Sequence, residues 1–204
     1  MNHRNDWERI YATNPASKVS WYQRRPDVSL ALIERAETTP RSRILDVGGG
    51  ASTLADHLID SGYLCVTVID VAMTALQHAR ERLGARGLAG SWIQGDVTAI
   101  PIRTGSIDVW HDRAVFHFLI DPTERLRYVE EAHRVIAPGG AIIIATFAED
   151  GPARCSGFDV QRYSEEELGA VLGDGFTPVR YEREVHHTPA GGVQSFTYGL
   201  LRKR

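Results

Sequence analysis

The sequence predicts an α/β protein: a doubly wound, mostly parallel seven-stranded sheet with a C-terminal antiparallel hairpin and an N-terminal helical lid. Three observations carry this expectation. From residue 43 onward, short β-branched apolar runs alternate with segments of helical spacing. Glycines or acids stand where these runs end, at Asp46 to Gly50, at Asp70 and at Gly95-Asp96. The last two apolar runs, 176–185 and 193–201, are joined by Thr188-Pro189-Ala190-Gly191-Gly192, with no helix between them, so they should pair antiparallel.

Taken in order, Trp7, Ile10 and Tyr11 fall at helical spacing, and 28–36 reads as a second helix opened by Pro26-Asp27. Ile44, Leu45 and Val47 form the first strand, and three glycines turn the chain into a helix over 53–59. Residues 63–69 are a strand, 73–83 a helix, 91–94 a short strand and 107–110 the next. A long amphipathic helix over 123–136 is stopped by Pro138-Gly139-Gly140. The fifth strand, 141–147, is apolar throughout, as a strand buried on both faces should be. A helix over 164–172 starts with Ser164-x-x-Glu167. The expected organisation is one domain: a cover (1–37), a core (43–147) and a terminal helix with its hairpin (148–204).

Composition is that of an ordinary globule, 43% hydrophobic and 24% charged with net charge −3, which gives no case for nucleic acid or a membrane surface as partner. The first residues lack the apolar core of a signal peptide, and no run approaches membrane-spanning length, so a cytoplasmic monomer or homodimer is expected. Cys65 and Cys155 make neither a disulfide framework nor a zinc set. Cys65 is expected to pack in its strand, and Cys155 to lie near an acceptor. His186 and His187 should point to opposite faces of a strand, and His111 and His117 lack ligand spacing, so no metal is expected.

Ligands of parallel sheets bind outside the carboxyl ends of the strands. A carboxylate at the end of the second strand, Asp70, suits a ribose diol, because it accepts two hydrogen bonds. Asp96, ending the third, suits an adenine amino group, with Val71, Met73 and Val97 against the ring. The pattern Asp-x-Gly-x-Gly-x-Ser (Asp46, Gly48, Gly50, Ser52) resembles the first motif of class I methyltransferases that use S-adenosylmethionine. The resemblance covers about residues 43–147 and includes Pro138-Gly139-Gly140 before the fifth strand. It implies that Asp46, Gly48, Gly50 and Ser52 meet the cofactor, with the two glycines nearest its methionine end. A nicotinamide-dependent oxidoreductase is the competing class, but Thr53 stands where its third glycine belongs and no Tyr-x-x-x-Lys pair is evident.

In that family the segment after the fourth strand, here 107–119, faces the transferring methyl. Asp112-Arg113, with Arg125 and Tyr128, looks like the corresponding stretch of thiopurine-type thiol methyltransferases. Elongation-factor lysine methyltransferases carry a related Asp-Lys-Gly and an N-terminal aromatic pair resembling Trp21-Tyr22. With neither an appended recognition domain nor an acidic or basic docking patch, a small-molecule acceptor is expected, through sulfur, selenium, oxygen or nitrogen, and the N-terminal aromatic segment keeps a protein lysine as the alternative. Segments 110–117 and 147–158 should wall its pocket with Trp21 and Tyr22, so that Arg113 and Phe116 meet the acceptor. Asp112, His111 and His117 are the candidate general bases. Two of them have a structural alternative: Asp112 in an ion pair with Arg113 or an N-terminal arginine, and His117 as a hydrogen-bonded core residue. Trp21 and Tyr22 either cap the sheet or close over the site.

Overall fold

A computed structural model of the chain describes residues 4–204; the part of the expected cover that falls on residues 1–3 lies outside them. The strands are β1 (Arg43–Val47), β2 (Cys65–Asp70), β3 (Gly90–Gln94), β4 (Ile107–Arg113), β5 (Ile136–Phe147), β6 (Arg154–Cys155), β7 (Phe158–Asp159), β8 (Phe176–His187) and β9 (Val193–Lys203). Seven of them form one sheet in the order β3-β2-β1-β4-β5-β9-β8, and β6 and β7 make a separate ribbon that the sequence did not announce. Pairing is parallel from β3 across to β5, and β9 runs antiparallel to both β5 and β8. The hairpin therefore enters the sheet with its second strand innermost. Composition explains the order: Phe196, Tyr198, Leu200 and Leu201 of β9 are fully buried, whereas β8 alternates with charges such as Arg180, Glu182 and Arg183 that suit an edge.

The helices are α1 (Arg4–Thr13), α2 (Asp27–Arg35), α3 (Leu54–Asp60), α4 (Met73–Leu83), α5 (Pro122–Val135) and α6 (Glu165–Leu172). On one face of the sheet, Leu32 and Ile33 of α2 and Leu54 and Leu58 of α3 pack against Ile44, Val68, Val109 and Ile143. On the other, Tyr128 and Ala132 of α5 and Leu168 of α6 pack against Leu45, Trp110, Ile142 and Ile144. Each such buried side chain contributes about 1.5–3 kcal/mol. Among the described residues, no helix is long and apolar enough to cross a membrane.

Two departures from the sequence reading matter. β4 runs on to Arg113, so strand alternation, not a turn, sets where His111, Asp112 and Arg113 point. Cys65, the first residue of β2, is exposed; the buried part of that strand begins at Val66.

The α6 start forms the expected capping box: the Glu167 amide donates to Ser164 Oγ (3.1 Å) and the Ser164 amide to Glu167 Oε2 (2.9 Å). Ser164→Ala should therefore lower unfolding free energy by about 1 kcal/mol in urea titration, with an unchanged slope.

Candidate active site

Beyond the carboxyl ends of β1, β2 and β3 lies a cavity of about 1020 Å³ including its open mouth. Of the glycine loop, Gly48 lines it, whereas Gly50 lies behind Asp70 and Tyr11 and does not. Gly48 (φ +60°) donates to the Ile69 carbonyl (2.7 Å), and a Cβ there would lie 2.0 Å from Val115 Cγ2. Gly50 (φ +44°) has no more room: its Cβ would sit 2.8 Å from Asp70 Oδ2 and 3.0 Å from the Tyr11 hydroxyl. Left-handed backbone and close approach each require glycine here.

Asp70 lines the cavity and is 7% exposed, with Oδ1 accepting from the Ala72 amide (2.8 Å). Burial pushes its carboxyl up to about 7 against the pull of that amide, and the nearby charges of Asp46 and Glu8 push the same way. Asp96 also lines the cavity, its Oδ1 held by the amide (2.9 Å) and hydroxyl (2.8 Å) of Thr98. Val71 and Val97 stand beside these two acids on the wall. Met73 does not. Its side chain is exposed, and its amide donates to Glu8 of α1 (2.7 Å). Glu8 also receives Thr74 (3.1 Å) and so seats α1 on the positive end of α4.

A second, smaller cavity adjoins the first, and Trp21, Gly48 and Arg113 line both. Asp46, His111 and Ser29 border it as a buried chain. His111 Nδ1 meets Asp46 Oδ1 (2.8 Å), and His111 Nε2 meets Ser29 Oγ (2.9 Å). The β1–β4 register pairs Asp46 with His111, which puts both side chains on the α2 side of the sheet. Asp46 Oδ2 is buried without a partner among the described residues. Ser52 borders this cavity too, and its Oγ accepts from the Leu54 amide (3.1 Å) at the start of α3.

The expected acceptor residues separate. Arg113 lies where the cavities meet and donates from Nε to the Tyr198 hydroxyl (2.8 Å), from Nη1 to the Trp21 carbonyl (3.1 Å) and from Nη2 to Glu184 (3.3 Å), with its guanidinium 4.3 Å from the Phe196 ring centre. It is not paired with Asp112. One residue earlier in β4, Asp112 points to the opposite face, fully buried, and accepts from the Val115 amide (2.9 Å), the Phe116 amide (3.1 Å) and the Tyr128 hydroxyl (2.7 Å). Burial pushes its carboxyl up to about 6 in spite of these donors. Phe116 is likewise buried against Tyr128 and Tyr163, away from either cavity. His117 is fully buried, and its Nδ1 accepts from the Phe147 amide (3.2 Å), which leaves the ring proton on an unpartnered Nε2. Burial, and then the charge of Arg113, pulls its imidazole down to about 3. Trp21 lines both cavities, Tyr22 only the second. Of the two histidines in the hairpin, His186 is buried with Nε2 at the Ser20 carbonyl (2.8 Å) and His187 is exposed, as alternation requires.

A family model described as a methyltransferase domain matches residues 44–140. Over this segment the chain resembles a methyltransferase domain. The chain is 29% identical over 147 residues to an eEF1A lysine and N-terminal methyltransferase of Danio rerio, covering 71% of this chain and 21% of that protein. It is 29% identical over 122 residues to a ubiquinone/menaquinone biosynthesis C-methyltransferase of a Ruegeria species, covering 58% of this chain and 48% of that protein. It thus spans less than two thirds of these relatives. A Burkholderia thailandensis 1,6-didemethyltoxoflavin-N1-methyltransferase, solved with its acceptor and S-adenosylhomocysteine, shares the fold at TM-score 0.71 and 20% identity, over 98% of this chain and 84% of that one.

The site also uses residues that sequence reasoning passed over. Trp7 and Tyr11 of α1 line it, and their spacing of four was the one available signal. Ser29, Glu8, Glu184 and Tyr198 contribute through contacts across 14 to 85 residues of chain, which no local pattern reveals.

Asp112 holds the turn that carries Val115 against the glycine loop. Asp112→Ala leaves two amides and a phenol without their acceptor, which should cost at least ~3 kcal/mol in urea unfolding. A role as base would instead show as lost turnover at unchanged stability.

Proposed function

We propose that the chain transfers a methyl group from S-adenosylmethionine to a small-molecule nucleophile by in-line displacement. The observation that carries this is the single cavity that runs from Asp70 and Asp96 to an end covered by α1 and Trp21, which leaves an acceptor little bulk. The donor set suits the cofactor. Asp70 and Asp96 offer carboxylates for ribose hydroxyls and an adenine amine, Val71 and Val97 offer apolar contact, and Gly48 and Gly50 allow close approach. The unpartnered Asp46 Oδ2 awaits a donor such as the amino group of the methionine end.

Bound there, S-adenosylmethionine supplies a methyl already activated on a sulfonium. The protein then has to align the nucleophile and exclude water, and alignment alone is worth up to ~7–11 kcal/mol in model systems. With Asp112 and His117 turned away from the cavity, neither serves as base in this proposal. An acceptor atom that arrives deprotonated needs none.

A protein amine is the second reading, favoured by the likeness to the eEF1A methyltransferase. It requires the α1 cover to withdraw. Incubation of lysate with the protein and methyl-labelled cofactor separates the two: label in extractable small molecules supports the proposal, and label in protein bands supports the second reading.

Asp70 gives this reading a pH signature. Its folded carboxyl titrates at about 7 because burial disfavours the charge. Ribose hydroxyls donate to the ionised form, so affinity for S-adenosylhomocysteine should rise up to about tenfold per pH unit below 7 and level off above it. In calorimetry from pH 5.5 to 8.5, Asp70→Asn should bind more weakly than wild type above pH 7 and lose that slope.

A further inference from the structure

The acceptor end of the cavity has a wall of aromatic rings brought together from three separate segments. Trp7 of α1 is its hub: it meets Trp21 of the connector edge-to-face (5.8 Å between centroids, 82°) and Phe118 of the turn after β4 in the same manner (5.0 Å, 77°). Tyr11 adds a fourth ring against Trp21 (6.0 Å, 78°). All four rings line the cavity, and Val115 and Leu119 extend the apolar surface toward the glycine loop. Charged side chains of both signs line the same cavity, Arg4 and Arg113 with Asp70, Asp96 and Glu124, and Arg113 is already paired with Glu184.

We infer that the acceptor is a planar aromatic small molecule, stacked on the wall formed by Trp7, Trp21 and Phe118. This rests on the methyl-transfer reading above, and it narrows the acceptor from any small nucleophile to a flat one. A phenol, a heteroaromatic thiol or a ring nitrogen on such a scaffold meets the same wall. The wall also explains why the cover belongs to the site: Trp7 and Trp21 sit on α1 and the connector, so ordering this segment completes the acceptor surface.

The test uses the full chain saturated with S-adenosylhomocysteine, whose own binding is measured first by calorimetry. The probes are 2-naphthol, its ring-saturated counterpart decahydro-2-naphthol, and Nα-acetyl-lysine methylamide. These match in size or chemistry while separating flatness from apolarity and charge. The expected result is that 2-naphthol binds about tenfold or more tightly than decahydro-2-naphthol, and tighter still than the lysine derivative. Trp7→Leu and Phe118→Leu should each pull the naphthol-to-decahydronaphthol ratio toward one. The ratio compares two ligands on one protein, so partial unfolding does not mimic this change, and either variant suffices if the other does not fold. If 2-naphthol fails to bind, binds no tighter than the saturated alcohol, or is matched by the lysine derivative, the inference is overturned while the cofactor reading stands. If S-adenosylhomocysteine itself does not bind, both fall.

Discussion

The glycine loop after β1 has no space for a Cβ, and much of the site depends on that tightness. Val115 from beyond β4, and Asp70 with Tyr11 from β2 and α1, approach Gly48 and Gly50 to within the volume a side chain would fill. Three elements thereby converge on one backbone turn. The turn holds left-handed φ values at both glycines, which any other residue would resist sterically as well as conformationally. Val115 is placed in turn by Asp112, which spends its carboxylate on the amides of the next turn. A residue that looks like an active-site acid is thus an anchor for the loop that meets the glycines.

The cover is tied down by polar contacts that the sheet supplies. Glu184 of β8 receives Gln23 (2.6 Å), the Tyr198 hydroxyl (2.9 Å) and Arg113 (3.3 Å), and Arg113 reaches on to the Trp21 carbonyl. The Arg113 and Glu184 side chains are only 9% and 13% exposed, where an unpaired charge would be costly, so the network holds together as a unit. Thr53 Oγ1 donates to the Gln23 carbonyl (2.9 Å), adding the start of α3 to the same seam. The hairpin thus completes the sheet and also fixes the segment that bears Trp21. The site gains its roof from the two parts of the chain outside the matched residues 44–140.

The buried chain Asp46–His111–Ser29 has the composition of a nucleophilic triad without its exposure. Ser29 and His111 are 0% and 3% exposed, and the serine lies on α2 beneath the connector. Its geometry suits orientation: His111 fixes one oxygen of Asp46, and the other is buried without a partner among the described residues. Of the three groups of catalytic type, only His111 borders a cavity, while Asp112 and His117 are held in the core by partners of their own.

The sequence by itself determined the fold class, the strand-to-helix alternation, the glycine loop and the acids at successive strand ends. These follow from local rules: periods of 2 and 3.6, turn chemistry, and the position of ligands at the ends of parallel strands. Met73 escaped them because the Glu8 carboxylate, 65 residues away in the chain, took its amide and left its side chain outside. Only the tertiary structure decided the acceptor side. Ending β4 at residue 110 made His111, Asp112 and Arg113 look like neighbours in a loop, but the strand continues to Arg113 and alternation sends Asp112 to the opposite face from its two neighbours. The innermost place of β9, the Glu184 seam and the meeting of Trp7 with Trp21 and Phe118 depend on packing between segments far apart in the chain. A local pattern gives each segment its shape, while its partners are set by which apolar faces and buried polar groups have to be satisfied together.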